Sequence, residues 1–230
     1  MSRAVAKPKP LEDIVEVFSA EDYPQGSEAW FGLRLGMATA SNFRTIMAAG
    51  EDGDEAKTRR RLLYRLAGEH FSKKPANTYE NEAMRRGRAM EAAALEDYAF
   101  TRGVEVERVG FVRRTIKRTP FADLVVGCSP DGLVGKSKVV QIKTMEPELI
   151  VQMVDHSRFP AEHRAQCQGE LWVTGRESCD LKIFYAGMPL GRTFTLQRDE
   201  SYIATIRKEV EKFDYELRML IDSIKAKGMQ

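Results

Sequence analysis

The residues best suited to chemistry lie between positions 129 and 143. Ser129-Pro130-Asp131-Gly132 reads as a tight turn carrying an acid, and Val139-Val140-Gln141-Ile142-Lys143 as a short strand carrying an amide and an amine. Strand alternation puts Val139, Gln141 and Lys143 on one face, with Val140 and Ile142 on the other. An acid on a turn beside an acid-x-Lys strand is a compact way to set a divalent cation against a scissile phosphate. Hard Mg²⁺ takes carboxylate oxygens and keeps several waters. It polarises the phosphate and acidifies a bound water, and a lysine on the same face orients or deprotonates that water. Gln141 stands where such a site wants a carboxylate, so this residue separates a chain that cuts from one that only holds its substrate.

Two helical segments can add polar groups. Asn81 to Phe100 places Met84, Gly87, Ala94, Leu95 and Tyr98 on one stripe, and Glu91 falls on that stripe too. A carboxylate on an apolar face needs a partner, and both a salt bridge to Arg or Lys and a metal or catalytic role remain open. Gln166 lies on a second helix that Pro160 starts and that runs through Trp172. Near the N-terminus, Arg34, Thr39 and Ser41 flank the start of a short helix, Asn42 to Met47. A Ser or Thr cap with free first-turn N–H groups and an arginine suits a phosphate; the plainer reading is an ordinary cap beside a surface arginine.

The rest of the chain must position these groups. Helices are expected over Glu28–Leu35, Thr58–Phe71, Pro147–His156 and, in a long apolar stripe, Tyr202–Ile224. That last helix either packs across the sheet, the preferred reading, or serves an oligomer surface. Strands are expected over Val104–Arg113, Phe121–Cys128, Leu181–Ala186 and Thr193–Gln197, with a basic connection from Arg114 to Pro120. Ala48 to Lys57 reads as a mobile loop, and Arg59-Arg60-Arg61 as a solvated face with DNA contact as the alternative. Residues 1–12 are expected to be a flexible arm and residues 13–230 a single α/β domain, because no Pro/Gly/Ser-rich linker divides the chain.

Composition excludes several classes. With 36 basic and 34 acidic residues the formal charge is +2, so nucleic-acid binding must come from local patches. No apolar run approaches the roughly 18 residues of a membrane span. Cys128, Cys167 and Cys179 form no CxxC pair and suit a reducing cytoplasm. His70, His156 and His163 are scattered, which removes a histidine zinc site and a Ser-His-Asp triad. No Walker loop or EF-hand pattern is present.

The order of motifs resembles a known family. Trp30-x3-Arg34-Leu35-Gly36-x2-Thr39-Ala40-Ser41 is followed by Arg86-Gly87-x3-Glu91 and by Cys128-Ser129-Pro130-Asp131-Gly132. Gln141-Ile142-Lys143 and Ala165-Gln166-x-Gln168-x3-Trp172-Val173-Thr174 complete the series. Together these resemble the phage lambda-type exonucleases, the YqaJ-like viral recombinase family within the PD-(D/E)xK nucleases. The likeness runs from about Ser27 to the final helix.

The resemblance implies a restriction-endonuclease-like α/β core, a mixed central β-sheet flanked by α-helices. It implies Mg²⁺-dependent 5′→3′ digestion of one strand of linear double-stranded DNA, with Mn²⁺ a possible substitute. Mononucleotides are released and a 3′ overhang is left. It further implies a homotrimeric ring, and hand-off of the overhang to a phage single-strand annealing protein in the bacterial host cytoplasm. By motif position Asp131 resembles the metal-binding Asp, Lys143 the catalytic Lys, Glu91 the helix acid near the metals and Gln166 the water-orienting Gln. The Ile142 carbonyl matches a backbone metal ligand, and Arg34, Thr39, Ser41 and Ser129 fall where the family holds a terminal 5′ phosphate. Asp123 is the nearest candidate for an upstream family Asp.

Gln141 departs from the pattern, because the family has a metal-ligating Glu there. The neutral, nearly isosteric amide should spare the fold and the DNA groove but weaken cation binding, giving reduced cleavage with binding retained. A Glu→Gln change introduced to trap a substrate complex is preferred over a natural substitution. Two other readings stay in play: a DNA-end-binding module without catalysis, and a restriction-type endonuclease, against which the terminal-phosphate pocket argues.

Overall fold

The structure, a computed structural model, describes residues 13–50, 55–76, 82–118, 121–185, 187–188 and 191–228, so the expected arm at 1–12 lies outside the described residues. Two four-stranded sheets form the frame. In the first, β1 (Ile14–Ser19), β3 (Val109–Ile116), β4 (Leu124–Cys128) and β2 (Ala38–Thr39) lie side by side in that order. In the second the order is β5 (Gly132–Val134), β6 (Lys138–Thr144), β7 (Ser178–Phe184) and β8 (Arg192–Gln197). Glu107 and Leu133 exchange two backbone hydrogen bonds of 2.8 Å each between strand β5 and the segment leading into β3. Each sheet mixes parallel and antiparallel pairs, as expected for this core.

Seven helices cover the sheets among the described residues: α1 (Glu28–Arg34), α2 (Ala40–Ile46), α3 (Lys57–Ser72), α4 (Glu82–Arg102), α5 (Pro147–His156), α6 (Ala161–Thr174) and α7 (Glu200–Gly228). Ser27 caps α1 by accepting from the Trp30 N–H at 3.2 Å, and Pro147 opens α5 where a missing N–H costs nothing. Strands β6 and β7 are parallel, so the chain must cross over between them, and α5 and α6 supply that crossover. Among the described residues, no helix is long and apolar enough to cross a membrane.

Strand β6 is covered on both faces. Val139 joins the main core with Cys167 and Leu171 of α6, whereas Val140 and Ile142 pack with Ala94, Leu95 and Tyr98 of α4. Gln141 and Lys143 share the face of Val139, hence the α6 side. The α4 stripe is buried at Ala94, Leu95 and Tyr98, while Met84 and Gly87 fall outside the residues whose surroundings are described. Helix α6 is buried from Cys167 to Val173. A Cβ at Gly169 would stand 2.4 Å from Phe43 Cδ2, so the close approach of α2 to α6 depends on that glycine.

Several expectations change. Strand β3 begins and ends later than the alternation indicated, because Arg114 and Thr115 pair with β1 and β4 instead of forming a connection. Strands β1, β2 and β5 were not anticipated, being exposed or very short. Arg59 is not on a solvated face: it is buried, bonded to Glu55, Glu216 and the Ile46 carbonyl, and stacked on Phe213. The loop expectation at 48–57 keeps only its ends, an Ala49–Glu55 bridge, since 51–54 lie outside the described residues. Helix α7 packs on helices α2, α3 and α6 rather than across a sheet, using Ile203, Ile206, Val210, Phe213, Leu217 and Ile221.

One buried acid ties α4 to the second sheet. Asp180 accepts from Tyr98 Oη (2.7 Å), Lys138 Nζ (2.9 Å) and Thr195 Oγ1 (2.7 Å). Burial pushes its pKa up, but the bonds from Thr195, Lys138 and Tyr98 together outweigh that and hold it below the ordinary carboxylate value. Its stabilisation is therefore present above the unfolded carboxylate pKa and lost as pH falls through the lower folded value. Asp180→Ala should cost about 3–5 kcal/mol in urea denaturation at neutral pH, and the cost should shrink on acidification.

Candidate functional site

The turn after β4 aims Asp131 back at β6. Asp131 Oδ2 accepts from Gln141 Nε2 at 2.7 Å and from the Ile142 N–H at 2.6 Å. Gly132 is required beside it, because a Cβ there would lie 2.3 Å from Val106 Cγ1. Burial pushes the Asp131 carboxyl up to about 7, and Glu91 adds to the rise; Lys143, the Ile142 N–H and Arg108 oppose it. Because the amide nitrogen faces Asp131, Gln141 turns its oxygen the other way, and that buried Oε1 has no hydrogen-bond partner among the described residues. A Glu here would bring a second carboxylate against Asp131, a pair that only a proton or a cation could reconcile.

Glu91 and Arg108 line a cleft of about 410 Å³ with Asp131 and Gln25. Their side chains approach to 3.9 Å, so the salt-bridge reading of Glu91 holds and the acid still faces the same cleft as Asp131. Gln166, on α6, donates from Nε2 to Glu170 Oε1 at 2.9 Å. Glu170 itself was not singled out from the sequence, because it looks like one more polar residue on an amphipathic helix. It is 1% exposed, and its Oε2 has no hydrogen-bond partner among the described residues. Burial and then Cys167 raise its pKa well above the usual range; Asp131 also raises it, while the Gln166 bond and Lys143 lower it.

Asp123 is not part of this group. It precedes β4 whereas Asp131 follows it, so the two lie at opposite ends of that strand, and Asp123 pairs with Lys117 at 2.6 Å. The three cysteines are free and buried.

A second cluster forms one residue up the turn from Pro130. Ser129 Oγ accepts from Arg34 Nη1 and from Trp30 Nε1, both at 2.9 Å. The Arg34 guanidinium stacks on the Trp30 ring, 4.1 Å from its centre. Arg34 and Thr39 line a pocket of about 130 Å³ with Arg65, which the sequence reading missed because it sits one turn beyond the Arg59–Arg61 run. Thr39 stands at the N-cap of α2 without a side-chain cap bond; its hydroxyl instead meets Ser41 Oγ and Asn42 Nδ2, both at 3.1 Å. Burial lowers the Arg34 pKa to about 10, so it stays charged at neutral pH. Among the described residues, Ser129 is the one hydrogen-bond partner of its five N–H donors. The arrangement suits an anion.

A hard cation needs oxygen ligands. Asp131, Glu91, the Gln141 amide oxygen and the Ile142 backbone are all oxygen donors, and an orphaned buried acceptor is the atom a cation satisfies. Among the described residues, no three His, Cys, Asp or Glu side chains are grouped to hold a metal. The site fits an oxygen-liganded cation with one carboxylate fewer on the strand.

Removing the Arg34 charge should separate stability from binding. Arg34→Met is expected to leave stability within about 1 kcal/mol of the parent, since it removes a half-buried, under-bonded cation and keeps apolar contact with Trp30. The same variant should abolish any thermal stabilisation by inorganic phosphate, measured as melting temperature with and without the anion.

The family model of the YqaJ-like viral recombinase domain matches residues 29–177, more than half of the chain. An alkaline exonuclease from Laribacter hongkongensis superposes with a TM-score of 0.75 at 29% identity, covering 88% of this chain and 98% of that one. The same relative is also known in complex with dAMP. A phage related exonuclease from Haemophilus somnus 129PT shares the fold at 14% identity and a TM-score of 0.59, covering 82% of this chain and 96% of its own. No curated protein sequence matches. Spanning both the Arg34 cluster and the Asp131–Lys143 strand, the matched segment establishes that the chain belongs to the YqaJ-like viral recombinase domain family.

Proposed function

We propose that the chain is a Mg²⁺-dependent 5′→3′ exonuclease on linear double-stranded DNA, slowed by Gln141. Nuclease chemistry as a class comes with the family. The observation that carries the finer reading is the adjacency of two unlike sites. Ser129 belongs to an arginine-centred anion pocket, and Asp131, two residues on, belongs to an acidic cleft. An anion pocket beside a hydrolytic cleft is what an enzyme that works inward from a terminal phosphate needs.

The bound cation would supply a polarised phosphate and an acidified water. Asp131, the Gln141 oxygen, the Ile142 carbonyl and Glu91 are the groups that would hold it. Lys143, on the same strand face as Gln141, orients the attacking water and offsets phosphate charge, and Gln166 helps to fix that water. The water oxygen bonds to phosphorus as the bond from phosphorus to the 3′ oxygen breaks, releasing a 5′-mononucleotide. The dAMP bound by the Laribacter relative belongs to that product class. Arg34, Thr39, Ser41 and Ser129 grip the 5′ phosphate. The same reading carries a homotrimeric ring in the bacterial cytoplasm and hand-off of the 3′ overhang to an annealing protein.

Gln141 favours one rival reading, a DNA-end-binding module, because its amide already satisfies Asp131 without a cation. The test uses linear duplexes with 5′ phosphate or 5′ hydroxyl ends, closed circular DNA, and Mg²⁺. Gln141→Glu should cut the phosphorylated duplex at least about tenfold faster than the parent, with the hydroxyl end a poorer substrate. Phosphate-dependent binding with no cutting by either chain would establish the binding module. Cleavage of circular DNA would establish an endonuclease.

A further inference from the structure

We propose that Glu170 supplies the carboxylate that Gln141 lacks, acting on the cation through one of its bound waters. The proposal rests on the metal-dependent nuclease reading given above.

The geometry starts from strand β6. Gln141 and Lys143 lie on its Val139 face, and Val139 belongs to the same core cluster as Cys167 and Leu171 of helix α6. Glu170 lies on that helix between those two core residues in sequence, and it is 1% exposed. Each side contributes a buried acceptor oxygen without a donor: Gln141 Oε1 on the strand and Glu170 Oε2 on the helix. Lone acceptors of this kind are costly unless a cation or its waters meet them.

A purely structural acid would be placed differently. Its two oxygens would both find donors, as those of Asp180 do. Glu170 instead spends one oxygen on Gln166 and leaves the other open. An apolar residue would fill the same space without the desolvation cost. Helix α6, which carries Glu170, packs on strand β6, and Asp131 and Lys143 both bear on the Glu170 carboxyl electrostatically.

Charge count gives the same answer. Cation affinity at oxygen sites follows the number of carboxylates. With a bound cation to displace their protons, Asp131, Glu91 and Glu170 give three carboxylates against Lys143, the number that a Glu at position 141 would otherwise give. Contact through a bound water needs no regrouping of side chains, because Mg²⁺ keeps several waters, and it leaves the Gln166 bond to Glu170 intact. Gln166 and Glu170 then orient that water as a pair. Under this assignment Glu170 makes up part of the charge lost at Gln141, and the slower cutting expected of Gln141 reflects a carboxylate that meets the cation through water instead of directly.

The experiment is Mn²⁺ titration of the full chain by calorimetry without DNA, with melting temperature in EDTA as the fold check. Glu170→Gln should bind Mn²⁺ at least about tenfold more weakly, as for other residues that act on a metal through its waters. It should melt no lower than the parent in EDTA, since a merely structural acid would leave the variant less stable. The double variant Gln141→Glu/Glu170→Gln should recover the parent affinity. Should Glu170→Gln fail to fold, Glu170→Met takes its place with the same expected outcome. Unchanged affinity in the single variant, or a folded double variant that stays weak, overturns the role of Glu170 alone. A parent chain that binds no Mn²⁺ overturns the metal-dependent reading together with it.

Discussion

Asp131 reaches back from a turn to accept two hydrogen bonds from strand β6, and the architecture around it follows from that clamp. The strand must be covered on both faces to hold a carboxylate away from water. Helix α4 covers Val140 and Ile142, and helix α6 covers the face that carries Val139 and the polar pair. The parallel pairing of β6 with β7 forces a crossover, and that crossover delivers α6 and with it Gln166 and Glu170. One topological requirement thus brings helix polar groups to a strand site.

The site is costly where it is useful. Asp131 and Glu170 are buried and Arg34 is half-buried, all with incomplete or competing partners, and each shifts its pKa against its charged form. The fold offsets these groups elsewhere. Asp180 takes three donors, Arg59 bridges Glu55 and Glu216, and Arg113 grips Glu16 with two bonds of 2.8 and 3.0 Å. Asp180, with donors on both oxygens, contrasts with Glu170, whose Oε2 finds none among the described residues, and that contrast marks Glu170 as a candidate for chemistry.

Much of this was legible from residue order. The turn at Asp131, the strand alternation through Lys143, and the helices carrying Glu91 and Gln166 all follow from local periodicity and turn chemistry. Strands β1 and β5 were not legible, because one is an exposed edge and the other is three residues long, too short for alternation to register. Arg59 misled because a charge run looks solvated until the partner glutamates arrive from 4 and 157 residues away. Glu170 was invisible for a related reason. Nothing local marks a buried acid; only packing against β6 does.

The spacing of the two clusters adds a last constraint. Ser129 and Asp131 are two residues apart on extended chain, a reach of roughly 6–7 Å. Pro130 between them is buried, and its carbonyl accepts from Gln25 at 3.3 Å, which fixes the segment from the cleft side. Trp30 holds the other end, bonding Ser129 and the Gly110 carbonyl at 2.9 Å. On the exonuclease reading, a phosphate seated against Arg34 and Ser129 brings the neighbouring phosphodiester toward Asp131. The register of cutting, one nucleotide from the end, is then a property of this rigid turn, and Gln141 changes how fast the bond breaks without moving which bond it is.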